Sequence, residues 1–376
     1  MGRPPADFYD LDSMTPRPSR APARVALVGY GYGGSVFHAP FIAAEPRLEL
    51  ATVVTANSER RAKVVRRYPG TALLSGVDDL LARVNDFDLV VVSSPNRSHV
   101  AIAEAVLANG YPVVVDKPVA PTPAEVRHLG TLARAADTVV VPFHNRRWDG
   151  DFRTVSALVD AGDLGIPHTF ESRFERWQPS VSSSPERSWK RDPTLGAGAG
   201  ILFDLGTHLI DQAVALFGRP ESVYAELAIR RVGALVDDDD FIALSYSDGL
   251  RVHLWASAVA ASRGPRFRLL GSAAGYVKYG MDRQEAALLA GAIPTGPGWG
   301  EEPPTSWGHL DTGSDRTVVA TLPGAYQMFY EAMAACVLDG ASAPVDLDDA
   351  ILTAEIVEAG YLSSATHATV PLPNKA

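Results

Sequence analysis

The run Gly29-Tyr30-Gly31-Tyr32-Gly33-Gly34 constrains this chain more than any other segment. It follows an apolar stretch ending at Val28 and leads into a helical pattern starting at Val36. Glycines at the first, third and sixth positions permit a tight turn, close approach of backbone N–H groups to a pyrophosphate, and close packing of helix on strand. The helix N-terminus adds positive potential at the same place. A second strand ends about twenty residues further on, and that strand–turn–helix–strand context makes the motif a dinucleotide-binding signal rather than a structural glycine turn.

The pattern around the motif extends this reading. Short Val- and Leu-rich runs at 24–28, 48–55, 88–92, 112–115 and 138–142 alternate with helical runs at 36–44, 58–67, 78–83, 97–108 and 123–136. Such continuous apolar strands suit a sheet covered on both faces, so residues 22–146 are expected to form a doubly wound parallel Rossmann domain. After Asn145 the rhythm changes. A helix at 152–161 and a strand at 167–177 lead to a serine- and proline-rich loop at 178–185 and a helix at 201–217. Alternating strands then follow at 222–229, 241–246, 251–258, 267–271 and 275–279. These predict a second α/β domain over 147–322, its open sheet antiparallel or mixed with helices on one face. Residues 291–307 read as an irregular Gly/Pro-rich excursion, and 323–376 as helices packing back on the first domain. Residues 1–21, with Pro4, Pro5, Pro16 and Pro18 and little periodicity, are expected to be a disordered extension.

Composition limits the function. The 376 residues suit two domains, and 46% apolar against 21% charged residues suits a folded chain. A net charge of −10 disfavours nucleic acid and anionic membranes as partners. No apolar run reaches membrane-spanning length, the N-terminus lacks a secretory apolar core, and the single Cys336 cannot close an internal disulfide. A cytoplasmic location is therefore expected. Asp237–Asp240 reads as a solvated turn, and the nine histidines show no metal-ligand pairing, so no metal is expected.

The second strand ends Thr55-Ala56-Asn57-Ser58-Glu59-Arg60-Arg61. No acid stands at the strand end itself, from Thr55 to Asn57, to accept from a ribose 2′-hydroxyl, whereas Asn57, Ser58 and one of Arg60 or Arg61 suit a 2′-phosphate. NADP is the expected cofactor, with NAD as the alternative.

Several further segments carry a family likeness: Ser93-Ser94-Pro95-Asn96-Arg97-Ser98-His99, Asp116-Lys117-Pro118, His144-Asn145-Arg146-Arg147-Trp148-Asp149, 198–212 and Lys278-Tyr279-Gly280-Met281-Asp282. From residue 24 to the C-terminal helices the chain resembles the Gfo/Idh/MocA oxidoreductases. Phe37-His38-Ala39-Pro40 brings it close to the subgroup of NADP-dependent scyllo-inositol dehydrogenases. Asp116 stands where the family usually has Glu. The resemblance implies a Rossmann domain followed by an α/β domain with an open, largely antiparallel sheet. It also implies Ser94, Pro95, Asn96, His99, Asp116 and Lys117 as cofactor contacts beside the Gly29–Gly34 turn, Thr55, Asn57 and Arg60.

Asp204 and His208 lie four apart in a helical pattern, on one face, with Gly206 between them. In the family context His208 is the expected acid/base, Asp204 its orienting partner or the substrate's, and Lys117 the cation that polarises the reacting oxygen. A cis Lys117–Pro118 bond would bend the chain into the site. Asn145, Arg146 and Trp148 are expected to contact a polyol or sugar, with Arg176 a weaker candidate beside Arg173 and Trp177. Two other readings stay open: a cofactor-retaining enzyme that uses transient oxidation for elimination or glycoside cleavage, and a non-catalytic NADP sensor. The resemblance implies a homo-oligomer, dimer or tetramer, built on the second sheet.

Overall fold

The computed structural model describes residues 21–181, 193 and 198–373. The expected extension, apart from Ala21, and the 178–185 loop from residue 182 onward lie outside the described residues. No described helix is long and apolar enough to cross a membrane.

The N-terminal sheet contains β1 (Ala23–Val28), β2 (Leu48–Val54), β3 (Ala72–Leu74), β4 (Leu89–Val92), β5 (Val113–Asp116) and β6 (Val140–Phe143). All its pairings are parallel, in the order β3-β2-β1-β4-β5-β6. Between the strands run α1 (Ala39–Ala44), α2 (Ser58–Arg67), α3 (Val77–Leu81), α4 (His99–Ala108) and α5 (Pro123–Ala135). Their starts are written locally. Thr122 and Glu125 form a reciprocal capping box with Pro123 in the first turn of α5, and Asn57 Oδ1 accepts from Arg60 N at the start of α2. β4 and β5 are buried on both faces, apart from a half-buried Asp116, as their unbroken valines require.

The C-terminal domain comprises α6 (Gly150–Asp160), β7 (Pro167–Glu175), α7 (Thr207–Phe217), β8 (Ser222–Ala228), β9 (Asp239–Ser245), β10 (Arg251–Ser257), β11 (Phe267–Gly271) and β12 (Gly275–Lys278). The short helix α8 (Gln284–Leu289) and strands β13 (Gly308–Asp311) and β14 (Arg316–Val319) follow. The chain ends with α9 (Gln327–Asp339), α10 (Leu347–Thr366) and β15 (Val370–Pro371). The sheet order is β14-β13-β12-β11-β7-β10-β9-β8-β15, and β7–β10 is its one parallel pair among the described strands. Helix α10 joins the two halves, with Ala350 and Ile351 packed among Val126 and Leu129 of α5 and Ile356 and Val357 among Val223 and Ala225 of β8.

Two expectations are corrected here. Asp237–Asp240 is not a solvated turn. Asp238 is fully buried and accepts from the backbone N–H groups of Arg230 and Arg231 and from Arg231 Nε, while Asp237 accepts from Leu202 N and Tyr361 Oη. Burial, with Asp237 alongside, pushes the Asp240 carboxyl up to about 10, so it keeps its proton. The alternation over 251–258 also offers Val252, Leu254, Ala256 and Ala258 as an apolar assembly face, and that face is not available. These residues are buried in the chain's own core, and the opposite face of the sheet carries Phe241, His253 and Trp255, with Arg173 3.8 Å over the Trp255 ring.

Candidate active site

The glycine turn sits at the carboxyl ends of β1, β2 and β4. Gly29 N bonds Val54 O and Ser93 N bonds Val28 O. Gly29 has φ +101°, and a Cβ there would stand 2.3 Å from Ser93 O. A Cβ on Gly34 would stand 2.1 Å from Gly29 O, and one on Gly33 2.8 Å from Asp116 Oδ2. By contrast, a Cβ on Gly31 would meet only Arg60 Nη1, at 3.9 Å. The turn is thus closed toward the protein and open at Gly31, where a pyrophosphate needs backbone access. These residues fit a dinucleotide. A π-helical turn, Gly34–His38, leads from the glycines into α1.

The expected cofactor residues divide into two groups. Asn57 and Arg60 lie at the start of α2 with Thr55 just before them, and Arg60 reaches toward Gly31. Arg61 is spoken for, since its Nη1 donates to Thr55 O and Leu74 O, both at 3.2 Å. Several of the others hold loops in place. The Tyr30 ring belongs to the core beneath the turn. The buried His99 ring lies between Pro118 O at 2.9 Å and Ser94 O at 2.8 Å, which ties the Pro95 loop to the cis Lys117–Pro118 peptide. Asn96 Nδ2 donates to Gly198 O at 3.0 Å. Burial pushes Asp116 up, but the contact with His38 and the charges of His38, His99 and Lys117 more than offset it and hold the carboxyl at about 2. Ser93 Oγ donates to Asp116 Oδ2 at 3.0 Å, so the shorter acid still finds partners.

Lys117 follows directly on the end of β5 and reaches the Leu202–Gly206 segment of the second domain. Its Nζ donates to the backbone carbonyl of Asp204 and lies 3.3 Å from Asp204 Oδ1. The four-residue spacing predicts Asp204 and His208 on one continuous helix, with Asp204 orienting substrate or imidazole. The structure instead inserts a π-helical turn, Leu202–Gly206, before α7, and Asp204 faces Lys117. Single π-helical turns of this kind are frequent at functional sites. Gly206 is closely packed, since a Cβ there would press on Leu202 Cδ1 at 2.7 Å.

His208 is buried beside the Phe174 ring, and its Nδ1 finds no hydrogen-bond partner among the described residues. Burial first, and then the positive charges of Lys117 and Arg146, push its pKa well below the usual histidine value. The imidazole is therefore neutral at neutral pH and able to take a proton.

Arg146 and Arg176 lie 4.7 and 4.9 Å from the centre of the Phe174 ring. Arg146 is buried and paired with Glu285 at 2.6 Å and Asp149 at 3.3 Å. Asn145 is buried beside it in the 3-10 turn Asn145–Trp148. Trp148 is half-buried, its ring edge-on to Phe329 with 5.7 Å between centroids and packed against the core under β1 and α9. Arg173 pairs with Glu171 on the outer sheet face, away from this cluster. Glu285, Tyr326 and Arg266 join this cluster without a signal in their own segments. Arg266 is buried with Nη2 on Gln212 Oε1 at 2.7 Å, and Glu285 lies just past the quoted Lys278–Asp282 run, on a helix too short to register.

A six-stranded parallel sheet in this order, a glycine turn open to a pyrophosphate and a mixed-sheet domain facing it define an NAD(P)-binding oxidoreductase. Residues 23–144 match the model of the oxidoreductase family with an NAD-binding Rossmann fold, and residues 152–277 match the GFO/IDH/MocA C-terminal domain. The chain belongs to the Gfo/Idh/MocA oxidoreductase family. It is 38% identical to the uncharacterized oxidoreductase YdgJ of Escherichia coli, over 93% of this chain and 98% of that one. It is 32% identical to the scyllo-inositol 2-dehydrogenase (NADP(+)) IolW of Bacillus subtilis, over 93% and 96% of the two chains. The solved structure of yvaA from Bacillus subtilis superposes with a TM-score of 0.88 at 31% identity, covering 95% of this chain and all of that one.

Proposed function

We propose that this protein transfers a hydride reversibly between NADP and a secondary hydroxyl of a cyclic polyol or sugar. The observation that carries the reading is the meeting of Lys117, Asp204 and a buried, neutral His208 at the carboxyl end of β5. The relative IolW, whose name gives both an inositol and NADP, supports the substrate class and the cofactor. When bound, the nicotinamide ring accepts or supplies the hydride. His208 takes the hydroxyl proton during oxidation and returns it during reduction. Lys117, held by the carbonyl and carboxylate of Asp204, stabilises negative charge on the reacting oxygen. Asp204 is thus a positioning residue for the lysine. Asn145 and Arg176 hydrogen-bond neighbouring hydroxyls, with Arg146 behind them, while Arg60 and Asn57 take the 2′-phosphate. The face carrying Trp255, Phe241 and His253 forms a homo-oligomer, as large open sheets need cover.

The test is a panel of inositols and aldoses assayed with NAD and with NADP at the reduced-nicotinamide absorbance band. The highest kcat/KM is expected for a cyclic polyol with NADP. Turnover without net absorbance change would favour the cofactor-retaining chemistry, and NADP binding without turnover a sensor.

A further inference from the structure

A side-chain chain that hydride transfer leaves unused joins the glycine turn to the acid/base cluster. Tyr32 Oη donates to Glu285 Oε1 at 2.7 Å, and Arg146 Nη2 donates to Glu285 Oε2 at 2.6 Å. One carboxylate on α8 therefore holds the turn with one oxygen and a buried guanidinium near His208 with the other. Arg146 is gripped from behind as well: its Nη1 donates to Asp149 Oδ2 at 3.3 Å, and Tyr326 Oη donates to Asp149 Oδ1 at 2.5 Å.

The two carboxylates around Arg146 are shifted in opposite directions. Burial raises the Asp149 carboxyl well above its usual range. Burial also pushes Glu285 up, yet the charge of Arg146 and the Tyr32 hydroxyl bring it below its ordinary value. Glu285 is thus the ionised partner of Arg146. Separating a buried charge from its partner is strongly unfavourable, so Glu285 and Arg146 move as a unit. The Tyr32 link is different, because Tyr32 is 42% exposed and sits on a turn whose conformation a bound pyrophosphate would fix.

We propose that Glu285 is a positioning residue that couples dinucleotide occupancy of the glycine turn, through Tyr32, to the setting of Arg146 and the cluster around His208. By linkage, an occupied glycine turn and an ordered substrate side then favour each other equally. The proposal rests on the hydride-transfer reading only for what the far end serves.

Hydrogen exchange of the full chain with and without NADP, followed by mass spectrometry, tests it without turnover. In the unmodified protein NADP slows exchange at 29–34 and also at 145–149, the latter by about fivefold or more, the lower end of ordinary site-to-site coupling. In Tyr32→Phe and in Glu285→Gln, both close in shape to the original, protection at 29–34 persists while that at 145–149 falls away. Equal protection of 145–149 in the variants, or none in the unmodified protein, overturns the coupling. Failure of every polyol to turn over would sink the functional reading and leave this test standing. With a polyol that does react, both variants raise its KM more than they lower kcat, and the double variant is no worse than the worse single. Effects that multiply instead would show that Tyr32 and Glu285 act separately, against the proposal.

Discussion

Two alanine substitutions in one turn should fail in opposite ways. At Gly29, φ is +101° and the added Cβ would stand 2.3 Å from Ser93 O and 2.7 Å from Ser93 C, both backbone atoms with little room to yield. The left-handed conformation costs about 1–2 kcal/mol and overpacking about 1–3 kcal/mol, so Gly29→Ala should lose roughly 2–5 kcal/mol of stability. For a domain of this size that lowers Tm by roughly 4–20 °C. At Gly31 the added methyl meets only Arg60 Nη1 at 3.9 Å, so Gly31→Ala should fold with nearly unchanged Tm. Its methyl instead stands on the open side of the turn. Losing a backbone hydrogen bond to a charged phosphate costs about 1.5–3 kcal/mol, or roughly 10- to 100-fold in Kd for NADPH. Scanning fluorimetry reads the first effect and titration calorimetry the second. Wild-type NADPH affinity in Gly31→Ala would refute the claim that this turn holds the pyrophosphate.

Three further outcomes follow. Arg60→Ala should erode a preference for NADP over NAD, measured as the ratio of kcat/KM values, while Arg61→Ala should cost stability more than selectivity because Arg61 bonds Thr55 O and Leu74 O. Oxidation needs neutral His208, and burial together with Lys117, Arg146, His144 and Arg266 opposes its protonation, so the acidic limb of kcat/KM should lie below pH 6.5. Lys117→Met should move that limb upward, and a limb above pH 7 in the unmodified enzyme would contradict the assignment. Multi-angle light scattering should report a dimer or tetramer that Trp255→Glu dissociates; a monomer at micromolar concentration would count against the outer sheet face as an interface.

The parallel sheet was legible because its strands are continuous valine and leucine runs and its helices carry local caps, as at Thr122 and Asn57. What escaped were pieces whose order comes from tertiary contact: the edge strand Ala72–Leu74, the two-residue Val370–Pro371, the exposed β13–β14 pair and six-residue α8. The same cause explains the site. Lys117, Asp204 and His208 stood out as chemistry-bearing residues in recognisable segments, but a π-helical turn, invisible in residue spacing, decides that Asp204 faces Lys117. Nothing in the segment of Trp148 announces the Phe329 ring packed edge-on against it. Asp237–Asp240 looked solvated because charge alone cannot reveal that Arg231, Leu202 N and Tyr361 converge on it.

The central claim, that Lys117 and His208 act on one oxygen while the Gly29–Gly34 turn holds the dinucleotide, is met most directly by single-turnover kinetics on His208→Ala and Lys117→Ala. The readout is the reduced-nicotinamide band on mixing with the best polyol of the panel, alongside the NADPH Kd. His208→Ala should slow the step by ~10²–10⁴-fold and Lys117→Ala by about 10²–10³-fold, with the double variant no worse than the worse single and both Kd values close to wild type. A folded His208→Ala that keeps near-wild-type kcat, or variants that lose the dinucleotide as well as the rate, would contradict the account.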